Sequence, residues 1–310
     1  MTAIKIEALT KIYGSVKALD GLNLEVKSGS VFGFLGPNGA GKTTTLRILA
    51  GLAQPTSGSL HMDGKPATGA TWQKFSVGYL PEEPAFYAWM SPREYLDLVG
   101  KIFKLDAKER RVRADRLLEQ SGLLDVAKRH IGGFSRGMRQ RLGIAQALMN
   151  QPSILLLDEP VSALDPAGRK EVLEMIESLG HTCTVIMSSH ILADIERVCD
   201  TVGIINKGKL ITQDSKESLL ERYAVPALEL TATNGSAAEM PEWKKRLEAM
   251  PSVTGVTVEG YTFHLAVKDV FAAQREIMQE AFIHNDRFEK LEVVKPSLED
   301  IFMQLTGSKE

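Results

Sequence analysis

Two adjacent acidic residues follow a short apolar run in the segment ILLLDEP, residues 154–160. Four apolar residues bounded by polar ones are typical of a strand that is buried on both faces. Asp158 and Glu159 then lie at the end of this strand, where an unpaired negative charge is unfavourable. The pattern therefore predicts that a cation or a positively charged group faces these two carboxylates.

A second segment that could do chemistry is GPNGAGKT, residues 36–43, which matches the pattern G-x-x-x-x-G-K-[ST]. It follows the apolar run VFGFL and opens a helical pattern, which is the context that a phosphate-binding loop requires. Its glycines let the backbone wrap closely around a phosphate, and the helix N-terminus adds positive potential. Lys42 is predicted to reach the β- and γ-phosphates of a nucleotide, and Thr43 to hold Mg²⁺.

The phosphate-binding loop suggests a role for each of the two acidic residues. An apolar strand that ends in Asp is the usual second magnesium-holding element, so we expect Asp158 to help hold the ion. Neighbouring strand residues point to opposite sides, so Glu159 is not a duplicate ligand. We expect Glu159 to orient or deprotonate the water that attacks the γ-phosphate.

Composition is consistent with a soluble globular protein. The chain has 310 residues, of which 44% are hydrophobic and 25% charged, and its formal net charge is −2. This charge gives no reason to expect nucleic-acid or membrane affinity, and neither a transmembrane helix nor a secretory signal is expected. Cys183 and Cys199 show no metal or redox spacing, so we expect two buried, reduced thiols.

The elements that must position these residues form two domains. Residues 1–222 start with antiparallel strands and continue as an α/β core with a helical insertion at about 85–150. One helix of the insertion has a capping box in Ser91 and Glu94, and a later helix has Asp165 as its N-cap. Residues 223–310 follow the order β-α-β-β-α-β, the ferredoxin-like pattern, and end in a helix within PSLEDIFMQL.

Further motifs follow the phosphate loop in a fixed order: FSRGMRQR (134–141), LLLDEP, SALD (162–165) and SSH (188–190). In this order they resemble the nucleotide-binding subunits of ABC transporters, over residues 4 to about 220. The C-terminal KPSLEDIFMQLTG further resembles the ATPases of ABC-2 type exporters. The resemblance implies a P-loop NTPase core with an antiparallel β subdomain and a helical insertion, followed by the α+β ferredoxin-like domain.

The resemblance also implies roles for individual residues. Tyr13 would stack on adenine, and His190 would contact the γ-phosphate as a catalytic residue beside Glu159 and Lys42. Ser135, Gly137 and Asp165 would meet the ATP bound by the opposite subunit, and Ser135 begins a helix whose N-terminus attracts anions. The predicted ATP-binding residues are Tyr13, Gly36, Pro37, Asn38, Gly39, Ala40, Gly41, Lys42, Thr43 and Thr44.

Two segments depart from the family pattern. The usual L-S-G-G-Q is Phe134-Ser135-Arg136-Gly137-Met138 here, which keeps the serine and the second glycine. In YLPEEP, Glu82 stands where a metal-contacting Gln is common. A carboxylate still ligates Mg²⁺, so the predicted metal residues are Thr43, Glu82 and Asp158.

An aromatic segment, EPAFYAWMSP, follows Glu82 and contains Phe86, Tyr87, Trp89 and Met90. These side chains could belong to the core. In transporters, the same region forms a groove that grips a cytoplasmic helix of the membrane subunit, a contact to which aromatic and methionine side chains are suited.

The leading hypothesis is an ATPase subunit of a membrane exporter. It would use ATP and Mg²⁺, form a head-to-tail homodimer, and sit at the cytoplasmic face of the membrane beside a separate permease, without nucleic acid. The alternative is a soluble ABC ATPase that acts on nucleic acid or the ribosome. Residues 101–141 favour it with 12 Lys or Arg against 5 Asp or Glu, but the chain has a single P-loop. Glu159 and His190 disfavour a nonhydrolytic regulator.

Overall fold

The computed structural model describes residues 1–69, 71–162, 164–223, 226–233, 240–284, 286–294 and 301–302. The chain divides into two compact units, Met1–Lys216 and Glu217–Glu310. Among the described helices, none is long and apolar enough to cross a membrane. The expected helix in PSLEDIFMQL falls mostly outside the described residues.

The first unit contains ten strands and six α-helices in its described part. The strands are β1 Thr2–Tyr13, β2 Val16–Lys27, β3 Val31–Leu35, β4 Ser57–Met62, β5 Lys65–Pro66, β6 Val77–Leu80, β7 Ile154–Leu157, β8 Thr184–Ser189, β9 Thr201–Asn206 and β10 Lys209–Ser215. The helices are α1 Lys42–Leu49, α2 Pro92–Ile102, α3 Ala107–Gln120, α4 Arg136–Leu148, α5 Pro166–Leu179 and α6 Leu192–Val198.

Two sheets form the first unit. The antiparallel sheet has the order β2-β1-β4-β5, and the larger sheet has the order β10-β9-β3-β8-β7-β6. Strands β9, β3, β8, β7 and β6 are parallel, and β10 joins the edge as an antiparallel strand. Every residue of β3 and β7 is buried, as expected for parallel strands covered on both faces.

Helices α2, α3 and α4 make up the predicted helical insertion between β6 and β7. The capping box predicted at Ser91 and Glu94 is present and starts α2. Asp165 is the N-cap residue of α5, but its carboxylate makes no cap hydrogen bond. Both cysteines are buried and free, as predicted.

The second unit holds a second core and a third sheet. After α7 (Lys216–Tyr223), its elements are β11 Ala227–Ala232, α8 Met240–Glu248, β12 Val253–Glu259, β13 Thr262–Val267, α9 Val270–His284 and β14 Phe288–Val294. The strands are antiparallel in the order β12-β13-β11-β14, as the ferredoxin-like pattern predicts. Trp243 packs edge-on against Phe263 at 5.3 Å between ring centroids, inside a core drawn from this unit.

We predict that a chain ending at Tyr223 folds without the remaining residues, because each unit has its own hydrophobic core. Scanning calorimetry of this truncation should show one cooperative transition within about 4 °C of the corresponding transition in the full chain. A truncated chain without a cooperative transition would contradict the division.

Candidate active site

The chemistry-bearing segments meet at one edge of the parallel sheet. The glycine-rich loop follows β3, Asp158 and Glu159 follow β7, His190 follows β8, and the loop with Glu82 follows β6. In the sheet register Leu35 pairs with Ser189 and Leu80 pairs with Leu157, while Leu157 pairs with Met187, so the four strands end at the same edge within two residues of one another. Loops at the carboxyl ends of parallel strands are the usual binding crevice of such sheets.

The loop between β3 and α1 requires its glycines. Gly41 has φ +111°, and a Cβ on it would lie 2.8 Å from the carbonyl oxygen of Ala18. A Cβ on Gly36 would lie 2.3 Å from the carbonyl oxygen of Ile205, and Gly39 has φ +78°. Larger residues would be excluded or strained here, and the loop therefore keeps its backbone N–H groups accessible to an anion.

The loop borders a cavity of about 370 Å³, a size that suits a small-molecule ligand. Most of the residues predicted from the glycine-rich motif line this cavity, together with Glu82, Glu159 and His190. The lining residues are Val16, Lys17, Ala18, Pro37, Asn38, Gly39, Ala40, Gly41, Lys42, Thr43, Thr44, Glu82, Glu159 and His190.

Lys42, Glu159 and His190 form one charged cluster at this cavity. The Lys42 ammonium lies 3.2 Å from Oε1 of Glu159, and Nδ1 of His190 lies 2.9 Å from Oε2 of the same carboxylate. Lys42 also donates a 2.6 Å hydrogen bond to the carbonyl oxygen of Gly36. The side chains of Lys42 and Glu159 are 5% and 9% exposed, so Lys42 is the positive group that the sequence predicted beside the carboxylates.

Asp158 anchors a second set of hydrogen bonds. Its Oδ1 accepts from the hydroxyl of Thr43 at 3.0 Å and from the hydroxyl of Ser188 at 2.8 Å. Burial raises the pKa of Asp158, and the negative charge of Glu159 adds to the rise, while the two hydroxyls oppose it. Carboxylate and hydroxyl oxygens are ligands that Mg²⁺ prefers, so Asp158 and Thr43 are suited to hold this ion together with phosphate oxygens.

The backbone turns sharply at Glu159. This residue has φ +46°, a left-handed conformation that is unfavourable by roughly 1 kcal/mol or more for a residue other than glycine. Its backbone N–H donates to the hydroxyl of Ser188 at 2.9 Å, which stabilises the turn. The turn sends the Glu159 side chain toward Lys42 and His190, whereas Asp158 faces Thr43.

Six of the predicted site residues do not line the cavity: Tyr13, Gly36, Ser135, Gly137, Asp158 and Asp165. Tyr13 is 46% exposed, and the ammonium of Lys11 lies 4.6 Å from its ring centroid. Ser135 is exposed and caps α4 by accepting a 3.2 Å hydrogen bond from the N–H of Met138. Gly137 is half-buried and Asp165 is exposed. Gly36 closes the base of the loop through its carbonyl oxygen.

The aromatic segment after Glu82 is partly buried in the core and partly exposed at the surface. Phe86 is half-buried and packs edge-on against Tyr95 at 5.0 Å, and Met90 is buried. Tyr87 and Trp89 are 55% and 68% exposed, with their ring centroids 5.9 Å apart. The segment therefore contributes to the core and also presents an aromatic surface.

Sequence reasoning missed several contributors to the site. Ser188 bridges Asp158 and the backbone of Glu159, although the SSH motif had been assigned a role only through His190. Val16, Lys17 and Ala18 border the cavity from the antiparallel sheet, and no motif marks them. The serine could have been found from its place two residues before His190, at the end of a buried strand.

We predict that Asp158→Asn stabilises the ligand-free protein. In the folded state the pKa of Asp158 lies above its ordinary value of 3.8. Ionising this carboxyl therefore lowers the stability of the folded state as the pH rises past 3.8. Asparagine keeps an oxygen acceptor for Thr43 and Ser188 and removes the charge. The midpoint of thermal unfolding at pH 7 should rise by about 2 °C or more.

The same comparison at acidic pH is the control, because the difference between Asp158→Asn and the natural chain should shrink as Asp158 becomes protonated. A lower midpoint for Asp158→Asn at pH 7 would contradict the pKa direction.

Comparison with known proteins agrees with this geometry. The family model described as "ABC transporter" matches residues 19–162, and "ATP-binding protein DrrA1-3-like, C-terminal domain" matches residues 217–306. The bacitracin transport ATP-binding protein BcrA of Bacillus licheniformis is 45% identical over 71% of this chain and 72% of that protein. The daunorubicin resistance ATP-binding protein DrrA3 of Streptomyces coeruleorubidus is 34% identical over 99% of this chain and 96% of its own length.

Solved structures give the same assignment. An ATP-binding cassette whose dimeric structure represents a post-hydrolysis state with ADP and Pi superposes with a TM-score of 0.62 at 27% identity, covering 68% of this chain and 98% of that one. CbiO1 of Clostridium perfringens, part of an ABC transporter complex, gives a TM-score of 0.66 at 28% identity, covering 71% of this chain and 91% of its own. The predicted resemblance and fold class are confirmed: the chain belongs to the ABC transporter family of ATP-binding proteins and is an ATPase.

Proposed function

We propose that this chain is the ATP-hydrolysing subunit of an ABC-2 type exporter, in which closure of a homodimer around ATP drives a separate membrane permease. The observation that carries the proposal is the cluster of Lys42, Glu159 and His190, which lines the cavity beside the glycine-rich loop. Relatives named for bacitracin transport, linearmycin resistance and daunorubicin resistance support the exporter assignment.

ATP binding starts with the phosphates in the glycine-rich loop. The backbone N–H groups of this loop and the N-terminus of α1 attract the negative charge. Lys42 exchanges its contact with Glu159 for the β- and γ-phosphates, which become its new anionic partners. Thr43, Asp158 and Glu82 provide the oxygens for Mg²⁺, and the ion, when bound, neutralises charge that develops on the phosphates.

Glu159 carries out the proton chemistry. Once Lys42 turns to the phosphates, the carboxylate is free to accept a hydrogen bond from the attacking water and to take up its proton. His190 remains beside Glu159 and contacts the γ-phosphate, which orients both groups. Hydrolysis breaks the bond between the γ-phosphorus and the bridging oxygen and yields ADP and phosphate.

The second half of each site comes from a second copy of the chain. Ser135, Gly137 and Asp165 lie outside the cavity of their own chain, and Ser135 and Asp165 are exposed. A head-to-tail dimer would bring the N-terminus of α4, with Ser135 at its cap, to the γ-phosphate of the partner. Tyr13 would stack on the adenine, and its exposed ring is available for this contact.

The membrane partner is proposed to contact Tyr87 and Trp89. These two exposed rings lie a few residues after Glu82. A shift of Glu82 in response to the γ-phosphate therefore has only a short stretch of chain to cross to reach them. An aromatic surface of this kind suits a short helix laid against it. The subunit would thus be peripheral, at the cytoplasmic face of the membrane that holds the permease.

The basic stretch at residues 101–141 was the reason to consider a nucleic-acid function. Several of its cations are engaged with acids: Arg110 with Asp97 at 2.7 Å, and Arg141 with Glu171 at 3.3 Å. A charged face that is balanced in this way is typical of solvated helices. This observation, together with the transport and resistance relatives, favours the exporter.

We predict that Glu159→Gln binds ATP but hydrolyses it at least about 100-fold more slowly, because an amide cannot accept the proton of the attacking water. Size-exclusion chromatography with ATP and Mg²⁺ should show a dimer that persists. Glu177→Gln, an exposed change on α5, is the matched control and should hydrolyse ATP at the natural rate. Natural turnover in Glu159→Gln would remove Glu159 from this role.

We predict that replacing both Tyr87 and Trp89 with Ala abolishes co-purification with the permease and spares ATP binding. Replacing Ile102 and Phe103 with Ala, two exposed apolar residues at the end of α2, is the control that should leave the complex intact. Thermal unfolding of the first double variant within about 3 °C of the natural chain would exclude a core defect. An intact complex in that variant would overturn the docking assignment.

A further inference from the structure

Helix α4 is attached to the loop that carries Glu82 by a buried hydrogen bond. Gln140 is 1% exposed, and its side-chain Nε2 donates to the backbone carbonyl oxygen of Glu82 at 3.1 Å. Within the described residues, the other amide atom, Oε1, is buried without a hydrogen-bond partner. A buried polar side chain that satisfies only part of its hydrogen-bonding capacity is unfavourable for packing alone, which points to a role for the bond it does make.

The packing around this bond is close. A Cβ on Gly143 of α4 would lie 2.4 Å from Leu80 Cδ1 and 3.3 Å from Pro84 Cβ, so the helix lies directly on the end of β6 and on the loop. At the surface, Arg136 lies 3.9 Å from Glu83, an exposed pair that contributes little energy by itself. The two segments that depart from the family pattern, FSRGM and YLPEE, therefore face each other.

We propose that Gln140 is a positioning residue that makes the Glu82 loop and the N-terminus of α4 move as one body. The inference rests on the proposed function, in which Glu82 faces the ATP of its own chain and Ser135 faces the ATP of the partner. Ser135 caps the same helix that carries Gln140, one and a half turns away. Through the Gln140 amide, the position of the loop at one nucleotide sets the position of the capping serine at the other.

Loss of the hydrogen bond between Gln140 and the Glu82 carbonyl should slow turnover. Without the amide N–H, the carbonyl of Glu82 loses its donor, and the loop is free to shift relative to α4. Removing a group that orients a ligand-contacting residue typically lowers activity by about 10- to 100-fold. Binding of ATP by the glycine-rich loop does not depend on this bond, so the effect falls on turnover more than on affinity.

The test compares Gln140→Met with the natural chain, in the full-length protein. Methionine has a similar length and no donor, so kcat for ATP should fall about tenfold while KM changes less than about threefold. Thermal unfolding of Gln140→Met within about 3 °C of the natural chain separates loss of the hydrogen bond from a packing defect.

Gln146→Met is the matched control on the same helix. Gln146 accepts a 2.9 Å hydrogen bond from the Tyr95 hydroxyl, not a bond to the Glu82 carbonyl, so its replacement should leave kcat within about twofold of the natural value. Equal kcat for Gln140→Met and the natural chain would overturn the positioning role. Absence of ATP hydrolysis in the natural chain would instead overturn the proposed function itself.

Discussion

The ion pair between Lys42 and Glu159 is the interaction on which the site depends. Its two charged groups lie 3.2 Å apart, and both side chains are less than a tenth exposed. A buried charge that loses its partner is unfavourable by several kcal/mol, roughly 3 to 5. Lys42 can therefore leave Glu159 only for another anion, and the phosphates of a nucleotide are the anions that this loop is built to receive. In the proposed function, binding of the phosphates by Lys42 and release of the Glu159 carboxylate are therefore one event.

The parallel sheet makes this arrangement possible. Strands β3, β7 and β8 end at the same edge of the sheet, so residues far apart along the chain meet within hydrogen-bonding distance. The left-handed turn at Glu159 separates the directions of the two neighbouring acids, so one carboxylate serves the hydroxyls of Thr43 and Ser188 and the other serves Lys42 and His190. The raised pKa of Asp158 and the left-handed backbone of Glu159 occur side by side here, a combination that is common where stability yields to function.

Much of the fold follows from local pattern. The glycine spacing of the loop, the all-apolar β7, the capping box at Ser91 and the β-α-β-β-α-β order of the second unit depend on residues close in sequence, and each was predictable. The contacts of Ser188 and Gln140 were not. Gln140 meets Glu82 across 58 positions of the chain, and nothing near either residue indicates the bond. Side-chain pairs of this kind depend on tertiary packing, which periodicity does not encode.

The competition between Glu159 and the nucleotide phosphates for Lys42 can be measured by calorimetric titration of ATP without Mg²⁺. Removing the competing carboxylate in Glu159→Gln should tighten ATP binding by about threefold or more. Asp158→Asn removes a neighbouring negative charge and leaves the 3.2 Å contact between Lys42 and Glu159 in place, so its gain in affinity should be smaller. Equal gains in the two variants, or weaker binding by Glu159→Gln, would contradict this competition.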